Sequence, residues 1–219
     1  MAKETPQAAV WSGDFGRAYT DRNVLPPREL DALYAKRLGV TRSAMNQEFL
    51  ADLGRDLRIL EVGSNVGNQL VALQGMGFRD LYGIELQEYA VEESKRHTRG
   101  INILQGSAFD VPFKDGFFDL VFTSGVLIHI APSDVRTALR EICRCSRRYV
   151  WGMEYYAPSY QEVVYHGNEG LLWKTDFAAL YAETCPELKV VKHKTYHEVD
   201  GPNEDAMFLL ERAGPAVRA

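Results

Sequence analysis

From Arg58 onward the apolar positions fall in short unbroken runs bounded by glycine or charged residues, and longer segments with helical spacing lie between them. Apolar runs without alternation read as strands covered on both faces, the mark of a buried parallel sheet. The pattern predicts strands at Arg58–Gly63, Asp80–Leu86, Asn102–Gly106, Phe117–Ser124, Tyr149–Tyr155, Leu188–Tyr196 and Ala206–Glu211. Helices are expected between them at about Asn68–Met76, Glu88–His97, Ser133–Ser146 and Asp176–Cys185, which supplies the crossovers that parallel neighbours need. The last two strands are joined only by Val199-Asp200-Gly201-Pro202-Asn203, too short for a helix, so they are expected to pair antiparallel. The fold class is therefore α/β, a doubly wound seven-stranded sheet that is mostly parallel.

Ahead of this pattern, residues 1 to 10 are polar and small and are expected to be mobile until Trp11 anchors the chain. The run from Trp11 to Asn23 holds aromatics and charges without a sustained period, which suggests an ordered loop or lid. Two helices should follow, one starting near Pro27 with Leu30, Leu33 and Tyr34 on one face, the other carrying Met45, Phe49, Leu50 and Leu53 and stopping at Gly54. Residues 1–54 are thus read as a helical lid packed on a ligand-binding core of residues 55–219, in one domain overall.

Composition narrows the partners. A net charge of -5 gives no electrostatic reason to expect nucleic acid or an anionic membrane, so a small-molecule partner is the better expectation. No stretch approaches the roughly 18 apolar residues of a membrane span, and MAKETPQAAV lacks the apolar run of a signal peptide, so the chain is expected to be cytoplasmic. Cys143, Cys145 and Cys185 are odd in number and lack zinc-site or Cys-x-x-Cys spacing, which suggests a reducing compartment and no metal, with Cys143 in the core and Cys145 unassigned.

The chemistry begins at Ile59-Leu60-Glu61-Val62-Gly63-Ser64-Asn65-Val66-Gly67-Asn68, a buried strand entering a glycine turn and then a helix. In an open α/β sheet such a turn lies at the carboxyl edge, where ligands bind. A dinucleotide turn wants Gly-x-Gly-x-x-Gly, but here Asn65 and Asn68 stand at the second and third glycine positions. Glu61, just before the turn, would repel a phosphate yet suits a ligand bearing an ammonium and a sulfonium, as in S-adenosylmethionine. The next strand ends in Glu85, 18 residues beyond Gly67, placed to accept both hydrogen bonds of a ribose diol. The plainer alternatives are a capping or surface carboxylate at Glu61 and a solvated strand-end charge at Glu85.

These residues, with the stretch Gly106 to Ile130, resemble the class I S-adenosylmethionine-dependent methyltransferases in order and spacing. The resemblance implies a Rossmann-like strand order 3-2-1-4-5-7-6. It implies cofactor contacts from Ser64, Asn68, Leu86 and Phe109, with Ser107 and Ala108 beside the adenine, where many members carry Asp then Ala. It also sets Ser124, Gly125, Val126 and His129 at the junction of donor and acceptor. His129 then reads either as a general base or as a histidine that only bonds backbone. More narrowly, Trp11 to Asn23, Thr123 to Ile130, Glu154-Tyr155-Tyr156 and Gly170 to Phe177 resemble the methylases associated with pseudaminic acid biosynthesis.

In the lid, Arg22 and Tyr19 are candidates for the cofactor's carboxylate and Trp11 for closure over the site; alternatively Arg22 pairs with Asp14 or Asp21 and Tyr19 and Trp11 only pack. Glu154 and Tyr156 are placed with His129 as catalytic candidates, and Tyr155, Tyr165, His166 and Lys174 as acceptor contacts, suiting a hydroxylated or amino-bearing substrate. An oxidoreductase using NAD(P) is disfavoured by Asn65 and by the lack of a Tyr-x-x-x-Lys motif after the fourth strand, while a silent cofactor-binding scaffold would carry the same turn.

Overall fold

The computed structural model describes residues 3–213. Its N-terminal part is four helices: α1 (Pro6–Ser12), α2 (Asp14–Arg22), α3 (Pro27–Leu38) and α4 (Arg42–Leu50). The loop expected from Trp11 to Asn23 is therefore corrected to part of a helical hairpin that begins at Pro6, with residues 1 and 2 outside the described residues. Thr5 caps α1 by accepting from Ala8 N–H, and Pro6 sits in its first turn, where a missing N–H costs nothing. A side chain on Gly16 would sit 1.8 Å from the Trp11 carbonyl oxygen, so glycine is what lets α2 fold back so closely.

The main sheet comprises β1 (Arg58–Val62), β2 (Asp80–Glu85), β3 (Asn102–Gln105), β4 (Phe118–Ser124), β5 (Ser146–Tyr156), β8 (Leu188–His197) and β9 (Glu204–Arg212). A separate hairpin, β6 (Gln161–Glu162) with β7 (Trp173–Lys174), lies in the segment after β5. The main order is β3-β2-β1-β4-β5-β9-β8, the expected seven-strand order once that hairpin is set aside. The first five strands pair in parallel, and β9 runs antiparallel between β5 and β8. Crossovers run through α5 (Asn68–Gly75), α6 (Glu88–His97) and α7 (Val135–Cys145), and α8 (Phe177–Thr184) precedes β8.

Both sheet faces are covered. On one, Leu139 and Ile142 of α7 and Phe177 and Tyr181 of α8 pack on Val121, Val150 and Phe208. On the other, Met45, Phe49 and Leu50 of α4 and Leu70 and Leu73 of α5 pack on Leu120, Phe122, Trp151 and Leu209. Each such side chain, fully buried, contributes on the order of 1.5–3 kcal/mol, which is why apolar runs rather than alternation dominate these strands. Strand order reverses between β1 and β4, and that switch point leaves a crevice at their carboxyl ends. The cysteine reading also changes: Cys143 of α7 and Cys185 at the end of α8 are paired as a disulfide across 42 residues, and Cys145 is free and buried. No described helix is long and apolar enough to cross a membrane.

Candidate functional site

The crevice opens into one cavity of about 460 Å³, lined from the β1–α5 turn, the tips of β2 and β4, β5, β9 and helices α1 to α3. The β1–α5 turn is shaped by close approach. Gly63 has φ +77, and a Cβ there would lie 2.6 Å from Val126 Cγ2; Gly83 on β2 leaves room where a Cβ would lie 2.5 Å from Ser64 Oγ. Asn65 holds the left-handed region at φ 47, which asparagine tolerates better than most residues. Its N–H donates to Glu85 Oε2 (2.8 Å), and Gln87 N–H donates to Glu85 Oε1 (2.9 Å), so two backbone groups fix this carboxylate at the cavity wall.

Four buried acceptor atoms in this half have no protein partner: Glu61 Oε2, Ser64 Oγ, Asn65 Oδ1 and Gln69 Oε1. A buried acceptor left unpaired costs on the order of 1–3 kcal/mol, so the cluster is complementary to a ligand rich in donors and positive charge. Burial pushes the Glu61 carboxyl well above its ordinary range; Arg42 opposes the shift and Glu85 adds to it. Arg42 is itself fully buried on α4, donating to Asn46 Oδ1 (2.9 Å), Tyr34 Oη (3.2 Å) and Ser124 Oγ (3.2 Å). These groups fit S-adenosylmethionine: carboxylates toward its cationic and diol groups, and Ser107, 8% exposed, beside Ala108 and Phe109 at the cavity wall.

Beyond Ser124 the wall turns aromatic. Trp11 lies 4.5 Å from the His129 ring and 5.2 Å from Tyr19, and His129 lies 5.1 Å from Tyr165. His129 Nδ1 is 2.7 Å from the Leu171 carbonyl oxygen, which can only accept, so the proton sits on Nδ1 and Nε2 keeps a lone pair. Burial lowers its pKa to about 4, against that hydrogen bond, and the ring is neutral at physiological pH. Glu154, 2% exposed, accepts from Val126 N–H (3.0 Å) and Ile128 N–H (3.4 Å) and so clamps the 3₁₀ turn Leu127–His129. Burial raises its pKa to about 7, and the backbone N–H groups of this turn partly offset the rise.

Of the residues expected from sequence, Trp11, Tyr19, Glu61, Gly63, Ser64, Asn65, Asn68, Glu85, Leu86, Ser107, Ala108, Phe109, Ser124, Gly125, Val126, His129, Glu154, Tyr155 and Tyr165 line the cavity. Others lie elsewhere. Arg22 is exposed at the end of α2, outside the cavity wall, and no described ion pair joins it to Asp14 or Asp21. Gly67 caps α5 behind the turn. Tyr156 packs near His193 (6.2 Å) on the β8 side, His166 is exposed, and Lys174 is bonded to Asn203. Glu154 has both oxygens engaged by backbone N–H groups, which suits it to positioning rather than to proton removal. Among described residues no group of three or more His, Cys, Asp or Glu could hold a metal.

Sequence reasoning missed Arg37, Arg42, Gln69, Gln87 and Asp205. Gln87 is the hub of the lid: Thr20 Oγ1 donates to its Oε1 (3.1 Å), and its Nε2 donates to the carbonyls of Trp11 (3.0 Å) and Gly13 (3.3 Å). Its position two residues after Glu85 was the available signal. Asn68 adds a second tie, donating to the Asn23 carbonyl (2.6 Å).

Comparison with known proteins agrees with this geometry. Residues 60–149 match a family described as a methyltransferase domain. The O-methyltransferase rstn1 of Aspergillus nomiae is 32% identical over 99 residues, 42% of this chain and 43% of that protein, so the chain aligns with less than half of this relative's length. The Burkholderia thailandensis 1,6-didemethyltoxoflavin-N1-methyltransferase, solved with 1,6-didemethyltoxoflavin and S-adenosylhomocysteine, superposes with a TM-score of 0.70 at 18% identity over 97% of this chain and 94% of that one. Magnesium protoporphyrin IX methyltransferase from Synechocystis, with bound cofactor, gives 0.67 at 11% identity over 97% of this chain and 100% of that one. Residues 60–149 thus match a methyltransferase domain, and the seven-stranded sheet that carries them has the Rossmann-like fold of the class I S-adenosylmethionine-dependent methyltransferases.

Proposed function

We propose that this chain methylates a hydroxyl or amino group of a small polar acceptor. The observation that carries the reading is the cluster of unpartnered buried acceptors around the β1–α5 turn, set beside a Glu85 carboxylate held by two backbone N–H groups. S-adenosylmethionine, when bound, supplies an electrophilic methyl group on a cationic sulfur. Glu85 holds the ribose diol, Glu61 and Tyr19 face the amino-acid end, and the lid of α1 and α2 excludes water. His129 Nε2 accepts the proton of the acceptor's O–H or N–H, and Glu154 holds the turn that aims the ring. The resemblance of the lid and of the segment after β5 to pseudaminic acid-associated methylases supports a sugar or sugar-nucleotide-like acceptor of a surface-glycan pathway, and the cytoplasm as the place where it acts.

A dinucleotide is disfavoured because Glu61, just before the turn, would repel a pyrophosphate and Asn65 stands where the second glycine is needed. Transfer of label from methyl-labelled cofactor into the small-molecule fraction of a cell extract tests the reading. Labelled product that depends on the protein is expected; cofactor binding with no label transferred would point instead to a silent scaffold, and tighter binding of NADH would overturn the cofactor.

A further inference from the structure

Away from the cofactor turn, the cavity wall includes a charged pair that no motif assigns, Arg37 of α3 and Asp205 of β9. Resting on the methyl-transfer reading and deepening it, we propose that this pair selects the part of the acceptor seated against it, favouring a hydroxyl or amino donor there and turning away a carboxylate or phosphate at that end of the cavity. Sheet order places it. The ribose carboxylate is on β2, the strand tip facing the acceptor is β4, and Asp205 on β9 pairs in register with Tyr155 on β5, on the opposite side of the switch point.

Charge and hydrogen bonding give the preference its sign. Asp205 is 2% exposed; its Oδ2 is ion-paired with Arg37 Nη2, while its Oδ1 is buried with no partner. A second carboxylate, Glu198, lies 3.8 Å from Arg37 Nη1 just outside the cavity wall, so two acids share this guanidinium. Arg37 also sits 5.3 Å from the Tyr155 ring and 5.6 Å from the Tyr34 ring, held by stacking as well as by its acids, and so is poorly free to clamp an anion. What remains unmet is an acceptor atom, and a ligand donor would meet it. Burial pushes Asp205 up to about 6 despite Arg37, which leaves it ionised at neutral pH.

The test uses the full chain saturated with S-adenosylhomocysteine and three probes sharing a phenol ring: 3-hydroxybenzylamine, 3-hydroxybenzyl alcohol and 3-hydroxybenzoate. Ligand-observed NMR titration should find the amine and the alcohol bound about tenfold or more tightly than the benzoate. Asp205→Asn should close that gap to within about threefold. If that variant does not fold, Glu198→Gln removes one of the two negative charges and should narrow the gap in the same direction. Equal affinities, a preference for the benzoate, or no binding by any of the three overturns the inference. The two readings fail separately: a chain that ignores S-adenosylhomocysteine yet ranks the probes as stated sinks the cofactor reading alone, and one that binds it but does not rank them sinks only this one.

Discussion

The two halves of the cavity leave opposite things undone. Around the β1–α5 turn the backbone is fixed by close contacts and short hydrogen bonds, but the side chains Glu61, Ser64, Asn65 and Gln69 keep unpartnered acceptors. On the β5 and β9 side most polar groups are already engaged: His129 with Leu171, Glu154 with Val126 and Ile128, Arg37 with Asp205. The first half is a rigid mould for one donor-rich ligand. The second is a preorganised, largely satisfied wall in which His129 Nε2 and Asp205 Oδ1 are among the few groups left to meet an acceptor. Binding strength should therefore reside in the first half and selectivity and proton handling in the second.

The largest effect expected in the acceptor half follows from His129. His129→Ala should lower kcat by about 10²–10⁴ while leaving S-adenosylhomocysteine affinity unchanged, and unchanged turnover would remove the base from the account. Because burial holds this imidazole at about 4, its acidic limb in kcat/KM should fall well below the usual histidine range near 6.5.

Glu154 gives a pH signature of stability. Its folded pKa is raised to about 7 from 4.5, so its contribution is fully present below about pH 4.5 and is lost as pH rises through 7. Glu154→Gln carries no such charge. Its stability relative to the natural protein, followed by urea unfolding, should rise by up to about 3 kcal/mol from pH 4.5 to 8; a flat difference would mean the carboxylate is not held as described.

A smaller effect is expected at the lid. Gln87→Ala removes three hydrogen bonds that tie α1 and α2 to the strand bearing Glu85, and S-adenosylhomocysteine should bind about 3- to 10-fold more weakly, through faster dissociation. Smallest of all, Arg22→Ala should change affinity and turnover by less than about twofold, since an exposed side chain outside the cavity wall touches neither half.

The same contrast decides what could be read from the chain. Strands and the β1–α5 turn were legible because buried parallel strands write themselves as apolar runs, and because the positions of Glu61, Gly63, Asn65 and Glu85 at strand tips follow from local spacing. The helix boundaries of α6, Glu88–His97, followed from periodicity alone. By contrast α1 and α2 are short and rich in charged and aromatic residues, so no period emerges; the cap at Thr5 with Pro6 was the signal present. Arg37 and Asp205 are 168 residues apart and Cys143 and Cys185 are 42 apart, separations at which no local rule operates. Arg22, His166 and Lys174 were placed by residue type, and the fold turns their side chains to solvent or to Asn203 instead.

The central claim is that Glu85 and the neighbouring unpartnered acceptors hold the cofactor. Calorimetric titration of S-adenosylhomocysteine into the natural protein and into Glu85→Leu, with melting curves to confirm that both are folded, tests it most directly. Loss of two charge-assisted hydrogen bonds should weaken binding by about 100-fold or more. A natural protein that takes up no S-adenosylhomocysteine, or a folded variant that binds it equally well, would contradict the account.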